Sequence, residues 1–244
     1  MRLISLNIWG GHIRAPLLEF IKSHRETDIF CLQEVYKKAP YKFSTDDKEA
    51  SLDIFSDIQK LLPEHNGFFR PVIQDWYGIG LFITKEINVI TEGYITIHEN
   101  LSYPGRGPTH SRILQWIHCR HNEKSFAILN VHGLWNGQGK TDAPERIEQS
   151  KIIREFMDRL EMPIILCGDF NLRPETESMR ILNQNMTNLI QTHNITSTRT
   201  NLYLREEKFA DYILISSGIT PKSFEVFQDE VSDHAPLSLD FDLL

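Results

Sequence analysis

Cys167-Gly168-Asp169-Phe170-Asn171 follows the short apolar run Met162-Pro163-Ile164-Ile165-Leu166, which has the length and composition of a buried strand. Strand alternation puts positions i and i+2 on one face, so Asp169 and Asn171 can point together into one site. A carboxylate brings negative charge or a proton acceptor, and an amide brings a neutral donor and acceptor. The pair suits a phosphate and a hard cation and is costly in an apolar core.

The same placement recurs along the chain. Asn7 ends the first apolar run, Glu34 follows Cys31-Leu32-Gln33, and Asn130 and His132 close the run from Phe126. Asp211 lies inside Phe209–Ile215, and Asp233 and His234 precede Leu237–Phe241. Each residue has a plainer reading. A strand terminus accounts for Asn7 alone, and a turn with local side-chain bonds accounts for Gly168–Asn171. Buried structural hydrogen bonding accounts for Asp211, and His132 alone reads as structural. His110, His118 and His121 have no carboxylate companion and read as solvated or structural. Ligands of layered α/β folds collect at strand ends, and the joint occurrence of Asn, Glu, His and Asp there argues for one shared site.

The elements that position these residues follow from periodicity. Strands are expected at 2–8, 28–32, 67–74, 79–84, 87–97, 111–120, 124–131, 162–167, 209–215, 221–227 and 236–241. Helices are expected at 15–22, from Ser51 to Leu62 before Pro63, from Asp142 to about Leu160, and near 175–184. Asp142 stands as N-cap, with Pro144 and Glu145 following as a helix start requires. The first strand, helix and second strand form a β-α-β unit, which implies a right-handed crossover. Residues 36–50 and the Gly/Pro-rich 100–110 read as loops. Many strands interleaved with few helices imply helix-covered sheets in one layered domain over 1–244.

Composition limits the partners. With 26 basic and 33 acidic residues the net charge is −7, which disfavours non-specific polyanion binding, so a phosphate substrate needs local basic groups or a metal. Cys31, Cys119 and Cys167 are odd in number and lie in apolar runs, as reduced thiols of a cytoplasmic protein do. Polar Asn7 interrupts the N-terminal apolar run, so a signal peptide is not expected, and a transmembrane segment is not expected anywhere.

Six segments taken in order, Ser5-Leu6-Asn7, Gln33-Glu34-Val35, Asn130-Val131-His132, Gly168-Asp169-Phe170-Asn171, Asp211-Tyr212-Ile213 and Ser232-Asp233-His234-Ala235-Pro236-Leu237, resemble the endonuclease/exonuclease/phosphatase superfamily over residues 3–239. Tyr77–Ile83, Ser111–Leu114 and Arg146–Gln149 fit the resemblance, whereas Gly133–Lys140 is richer in Gly and Trp than the family pattern. The resemblance implies a four-layer α/β/β/α sandwich of two mixed sheets and a hydrolase of phosphate esters dependent on Mg²⁺ or Mn²⁺.

On that resemblance Glu34 is the primary metal ligand, assisted by Asn7, with Asp233 binding a second metal or holding the first. His234 is the general base or a phosphate-binding cation, oriented by Asp211, and Asp169 positions or deprotonates water. Asn171 and His132 grip the phosphoryl oxygens, while Arg112 and Asn130 contact substrate. The expected activity is that of a phosphodiesterase or nuclease acting as a monomer, with nucleic acid a possible substrate. Trp9, Trp76, Tyr103, Arg106, Trp135 and Lys140 then supply an aromatic and basic rim. A sphingomyelinase-like or inositol-phosphatase-like activity on a lipid or small molecule is the alternative, and a non-catalytic binding module the remote one. The loops at 36–50, 100–110 and 133–142 are expected to choose the ester.

Overall fold

Along the first strand, Leu3 packs between two sheets while Ile4 and Leu6 face a helical layer, so the chain's alternation is matched by apolar surface on both sides. A computed structural model describes residues 1–41, 51–105 and 107–244. Its strands are β1 (Arg2–Asn7), β2 (Ile29–Tyr36), β3 (His65–Ile73), β4 (Tyr77–Thr84), β5 (Asn88–His98) and β6 (Arg112–His121). They continue as β7 (Lys124–His132), β8 (Ile164–Asp169), β9 (Thr187–Asn188), β10 (Asp211–Ile215), β11 (Ile219–Val226) and β12 (Leu237–Leu243). The helices are α1 (Arg14–Ser23), α2 (Ile54–Leu61), α3 (Pro144–Asp158), α4 (Glu177–Leu182) and α5 (Leu189–Thr192).

Two six-stranded sheets result, ordered β11-β12-β1-β2-β4-β3 and β5-β6-β7-β8-β10-β9. Each has one parallel pair at its centre, β1–β2 in the first and β7–β8 in the second, and every other pairing is antiparallel. Parallel neighbours require a crossover, and α1 and α3 supply the two. Leu17, Phe20 and Ile21 of α1 and Ile54, Phe55 and Ile58 of α2 pack on Ile4, Leu6, Phe30, Leu32 and Phe82 of the first sheet. Ile153 and Met157 of α3 and Met179 and Leu182 of α4 join the core of the second. The architecture is the expected α/β sandwich. Each fully buried Leu or Ile in these layers contributes roughly 1.5–3 kcal/mol relative to exposure.

One helix start differs from expectation. Ala143, in extended conformation, is the N-cap residue of α3 and makes no side-chain cap. Asp142 instead accepts from the backbone N–H groups of Glu177 (2.8 Å) and Ser178 (3.0 Å) and from the Ser178 hydroxyl (2.6 Å), so it caps α4, 35 residues downstream. Local sequence identifies a capping carboxylate but not which helix it reaches. The short β9 and α5, where Asn188 accepts from the N–H groups of Ile190 and Gln191, are also beyond the periodicity of the sequence, being too brief to show one.

Candidate active site

Because β1 and β2 run parallel, as do β7 and β8, the last residues of all four strands gather at one end of the sandwich. Asn7 lies in register with Gln33, and His132 with Asp169. Antiparallel β10 sets Asp211 opposite Asp169. Between Leu32 and Val35 the register of β2 against β4 shifts, and Glu34 takes a left-handed φ of 58°. This irregularity turns Glu34 toward Asn7, as bulges re-aim side chains beside functional sites. Gly168 has φ 137°, and a Cβ there would lie 2.0 Å from the Val131 carbonyl oxygen. Glycine at 168 is what lets β8 run close enough to β7 to bring Asp169 beside His132.

A chain of polar contacts links these ends. Asn7 Nδ2 donates to Glu34 Oε1 (3.0 Å) and Asp169 Oδ2 (3.0 Å), while its Oδ1 accepts from the Trp9 N–H (3.0 Å). His132 Nε2 is 3.8 Å from both Glu34 Oε1 and Asp169 Oδ2. His234 Nδ1 meets both oxygens of Asp211, at 2.8 and 2.9 Å, and its Nε2 lies 3.6 Å from Asp169 Oδ2. Thr198 Oγ1 donates to Asp211 Oδ2 at 3.1 Å. Asn171, at φ 53°, donates its N–H to Asp169 Oδ1 (2.9 Å) and its Nδ2 to the Gly133 carbonyl (3.2 Å).

The protonation states diverge within a few ångströms. Burial would raise the Asp169 carboxyl, but His234, Lys140, His132 and Arg199 together hold it well below the ordinary carboxylate range. Burial raises Glu34, against the pull of the Asn7 hydrogen bond and His234, and the nearby Asp233 and Asp169 add to the rise. Burial and Arg112 push His132 well down, so despite its two carboxylate neighbours it stands neutral. Burial and Arg199 also press His234 down, but Asp211, Asp233 and Asp169 outweigh them and its pKa is raised. Two imidazoles of opposite tendency thus flank one anionic carboxylate, the kind of separation that assigns distinct acid and base capacities.

These groups open on a cleft of about 760 Å³ walled by Trp9, Tyr77, Trp135 and Tyr203. Four cationic side chains reach it: Arg112, Lys140, Arg199 and the exposed Arg205. Arg112 is buried and gives one hydrogen bond, to the Pro108 carbonyl at 3.1 Å, leaving Nε and Nη1 without partners. Unpaired guanidinium donors on a cavity wall favour an anion that brings the missing acceptors.

Of the residues singled out by sequence, Asn7, Glu34, His132, Asp169, Asn171, Asp211 and His234 meet in this cluster, and Arg112 and Asp233 lie on the cleft wall. Three placements differ from the expected geometry. Asn130 does not reach the cleft. It is fully buried between the sheets, accepting from Gln33 Nε2 (2.8 Å) and donating toward the carbonyls of Leu32 and Gly80 and toward Gln115 Oε1 (3.3 Å each). Asn7 turns its carbonyl to Trp9 and its amide N–H groups to the two carboxylates, so it clamps Glu34 and Asp169 together rather than offering an oxygen. Asp233 is drawn toward Arg199 Nη1 (3.5 Å) and joins neither cluster of mutually close ligating groups, which are Glu34-His132-Asp169 and Asp169-Asp211-His234.

The first of those clusters fits a hard divalent cation. It offers two carboxylates whose oxygens lie within 4.8 Å of each other, and Asp169 already raises the Glu34 pKa, a repulsion that a cation relieves.

Other residues reach the site without a sequence signal. His110, read as solvated or structural, is buried on the cleft wall, where burial and Arg112 push its pKa down to about 2. Arg199 sits among threonines and serines in a stretch with no periodicity. Of the expected rim, Trp9, Trp135 and Lys140 line the cleft, whereas Trp76 is buried against Tyr36 and Tyr41. Tyr103 packs edge-on against His110 and does not line the cleft. Arg106 and residues 42–50 lie outside the described residues.

Comparison places this geometry among known proteins. A mannosyl-6-phosphatase of Bacteroides thetaiotaomicron superposes with TM-score 0.76 at 17% identity over 100% of both chains. The human Nocturnin catalytic domain with bound sulfate gives 0.72 at 19% identity, covering 100% of this chain and 93% of that one. A humanized D. rerio TDP2 gives 0.75 at 15% identity over 99% and 98%. At such identities the likeness is one of fold. No curated protein sequence gives a significant match. The family model described as the endonuclease/exonuclease/phosphatase family matches residues 4–234, from the first strand to the histidine held by Asp211, and the chain belongs to that family.

Proposed function

We propose that residues 1–244 act as one catalytic unit, a divalent-metal-dependent hydrolase of phosphate esters. One observation carries the reading most directly. Asp169 stays anionic between His132 Nε2 at 3.8 Å and His234 Nε2 at 3.6 Å, on the floor of a cleft whose Arg112 guanidinium has unpaired donors.

Glu34 and Asp169 would hold Mg²⁺ or Mn²⁺, with Asn7 keeping the two carboxylates together. Such an ion polarises the phosphoryl oxygens and neutralises the charge that develops on them. Asp211 fixes the Nδ1 side of His234, which leaves Nε2 to take a proton from the attacking water or to meet a phosphoryl oxygen. Asp169 orients that water. Neutral His132, with Asn171 and Arg112, donates to non-bridging oxygens as charge builds.

A phosphodiester, as in nucleic acid, is the substrate class we infer first, because the cleft wall carries both aromatic rings and unpaired cations. A small-molecule or lipid ester, in the manner of an inositol phosphatase or sphingomyelinase, is favoured by the net charge of −7. We further propose a monomer working in the cytoplasm, where the three buried free cysteines stay reduced. Among the described residues no helix is long and apolar enough to cross a membrane.

The test is hydrolysis of bis-p-nitrophenyl phosphate and p-nitrophenyl phosphate with Mg²⁺ or Mn²⁺, abolished by EDTA. Glu34→Ala and His234→Ala should each lower kcat/KM on the order of 10²-fold or more. Full activity in either variant contradicts the assignment.

A further inference from the structure

The loop from β7 to α3 is fastened from beneath. Arg146 of α3, buried, donates from Nε to the Leu134 carbonyl (3.1 Å), from Nη2 to Asn136 Oδ1 (3.1 Å) and the Gly139 carbonyl (2.8 Å), and from Nη1 to the Thr141 carbonyl (2.5 Å). Gln149 Oε1 accepts from the Leu134 N–H (2.9 Å), and the Arg173 N–H donates to the Lys140 carbonyl (2.8 Å). The backbone is therefore held on both sides of Lys140.

What this fastening presents is an ammonium on the cleft wall that is only 2% exposed and has no hydrogen-bond partner. The Trp135 ring lies 6.0 Å from the ammonium, but burial without a hydrogen-bond acceptor is still costly, and a lysine on an unfastened loop would turn its ammonium to water. Beside it, Arg199 enters from the segment before β10 with its side chain 6% exposed. Its guanidinium stacks on the Tyr203 ring at 4.0 Å, its Nη1 lies 3.5 Å from Asp233, and its Nε has no partner. Arg112 is lodged among Pro108, Tyr77 and Tyr103. Asp233 meets Arg199 from one side, and Asp169, Asp211 and Asp233 act on Lys140 through space, yet the Lys140 ammonium and Arg199 Nε have no hydrogen-bond acceptor.

We propose that Lys140 and Arg199 form a second anion subsite, which takes a phosphate flanking the scissile one, so that the substrate is a phosphate ester carrying at least two phosphate groups. The inference builds on the phosphohydrolase reading, and binding without turnover tests it separately.

In EDTA, the Kd of thymidine 3′-phosphate 5′-(p-nitrophenyl phosphate) is compared by calorimetry with that of thymidine 5′-(p-nitrophenyl phosphate). A sugar pair, fructose 1,6-bisphosphate against fructose 6-phosphate, distinguishes paired phosphates on a nucleotide backbone from those on a small metabolite. In at least one pair the second phosphate should tighten binding about tenfold or more, as charge-assisted hydrogen bonds do. Lys140→Met and Arg199→Gln should each bring that ratio close to one, and Lys140→Arg should restore it. Arg112→Met should weaken both members of the pair and keep the ratio. Lys140→Met replaces a buried ammonium that makes no hydrogen bond with an apolar chain of similar length and is expected to fold, and Arg199→Gln gives an independent reading.

A ratio near one for both pairs in the wild type, or a ratio unmoved by Lys140→Met and Arg199→Gln, overturns the proposal. A preserved ratio in a protein that hydrolyses neither nitrophenyl ester with Mg²⁺ leaves the subsite standing and removes the phosphohydrolase reading. Hydrolysis without the ratio does the reverse.

Discussion

Asp211 holds His234 Nδ1 with both carboxylate oxygens, at 2.8 and 2.9 Å, and so aims Nε2 toward Asp169, 3.6 Å away. The arrangement fixes the imidazole's orientation and favours its protonated form. Asp211→Asn keeps the shape and removes the charge. On the proposed function, kcat should fall by roughly 10²–10⁴, the range seen when a carboxylate that orients a catalytic histidine is neutralised. Asp211 is among the groups that raise the His234 pKa, so its loss lowers that pKa. The limb of the pH–rate profile that titrates with His234 should therefore move to lower pH. An unmoved limb would separate His234 from catalysis.

Asn130 lies between the sheets rather than at the cleft, so its substitution should read out as stability. Asn130→Ala leaves the buried Gln33 Nε2 with only the Cys31 carbonyl and removes the donor aimed at two carbonyls and Gln115. The expected cost is about 1–3 kcal/mol in chemical denaturation, with KM unchanged in the folded fraction. A raised KM at full stability would return Asn130 to the substrate.

Asp142 ties the loop after β7 to the start of α4. Burial raises its carboxyl, but the Ser178 hydroxyl and the N–H groups of Ser178 and Glu177 together outweigh it, and its pKa is lowered. A carboxyl depressed on folding contributes stability above its unfolded pKa and loses it as pH falls through the folded value. Asp142→Ala should cost about 1 kcal/mol at neutral pH, as loss of a helix cap does. The gap from wild type should shrink as pH drops below the ordinary carboxylate range. A gap that is constant with pH would mean that the charge is not what caps α4.

Gly168 sets the approach of β8 to β7. A methyl group there meets the Val131 carbonyl oxygen at 2.0 Å, and φ 137° is foreign to L side chains. Gly168→Ala should lower Tm by many degrees or prevent folding. A Tm within a few degrees of wild type would show that the strands can part without penalty.

Much of this was legible in the sequence where one property is local. Strand runs, the β-α-β order and the strand-end positions of Asn7, His132 and Asp169 follow from alternation and composition, whereas β2 runs on to Tyr36 and carries Glu34 at an internal irregularity. Parallel pairing then gathers them without further instruction. What sequence could not supply depends on contacts across the fold. Asn130 shares the strand-end signature of Asn7, yet its side chain points between the sheets into a polar network. Asp142 looks like the cap of the helix that follows it and caps another. Arg199 and His110 sit in aperiodic stretches, and only the tertiary fold brings both to one cleft.

The central claim is that Asp169, Glu34 and His234 work on a phosphate ester with a divalent cation. Its most direct test is initial-rate hydrolysis of bis-p-nitrophenyl phosphate by the wild type and Glu34→Ala, each with Mg²⁺, with Mn²⁺ and with EDTA. The account predicts metal-dependent turnover in the wild type, none in EDTA, and a loss of order 10²-fold or more in the variant. Equal rates with and without EDTA, or a Glu34→Ala rate matching the wild type, would contradict it.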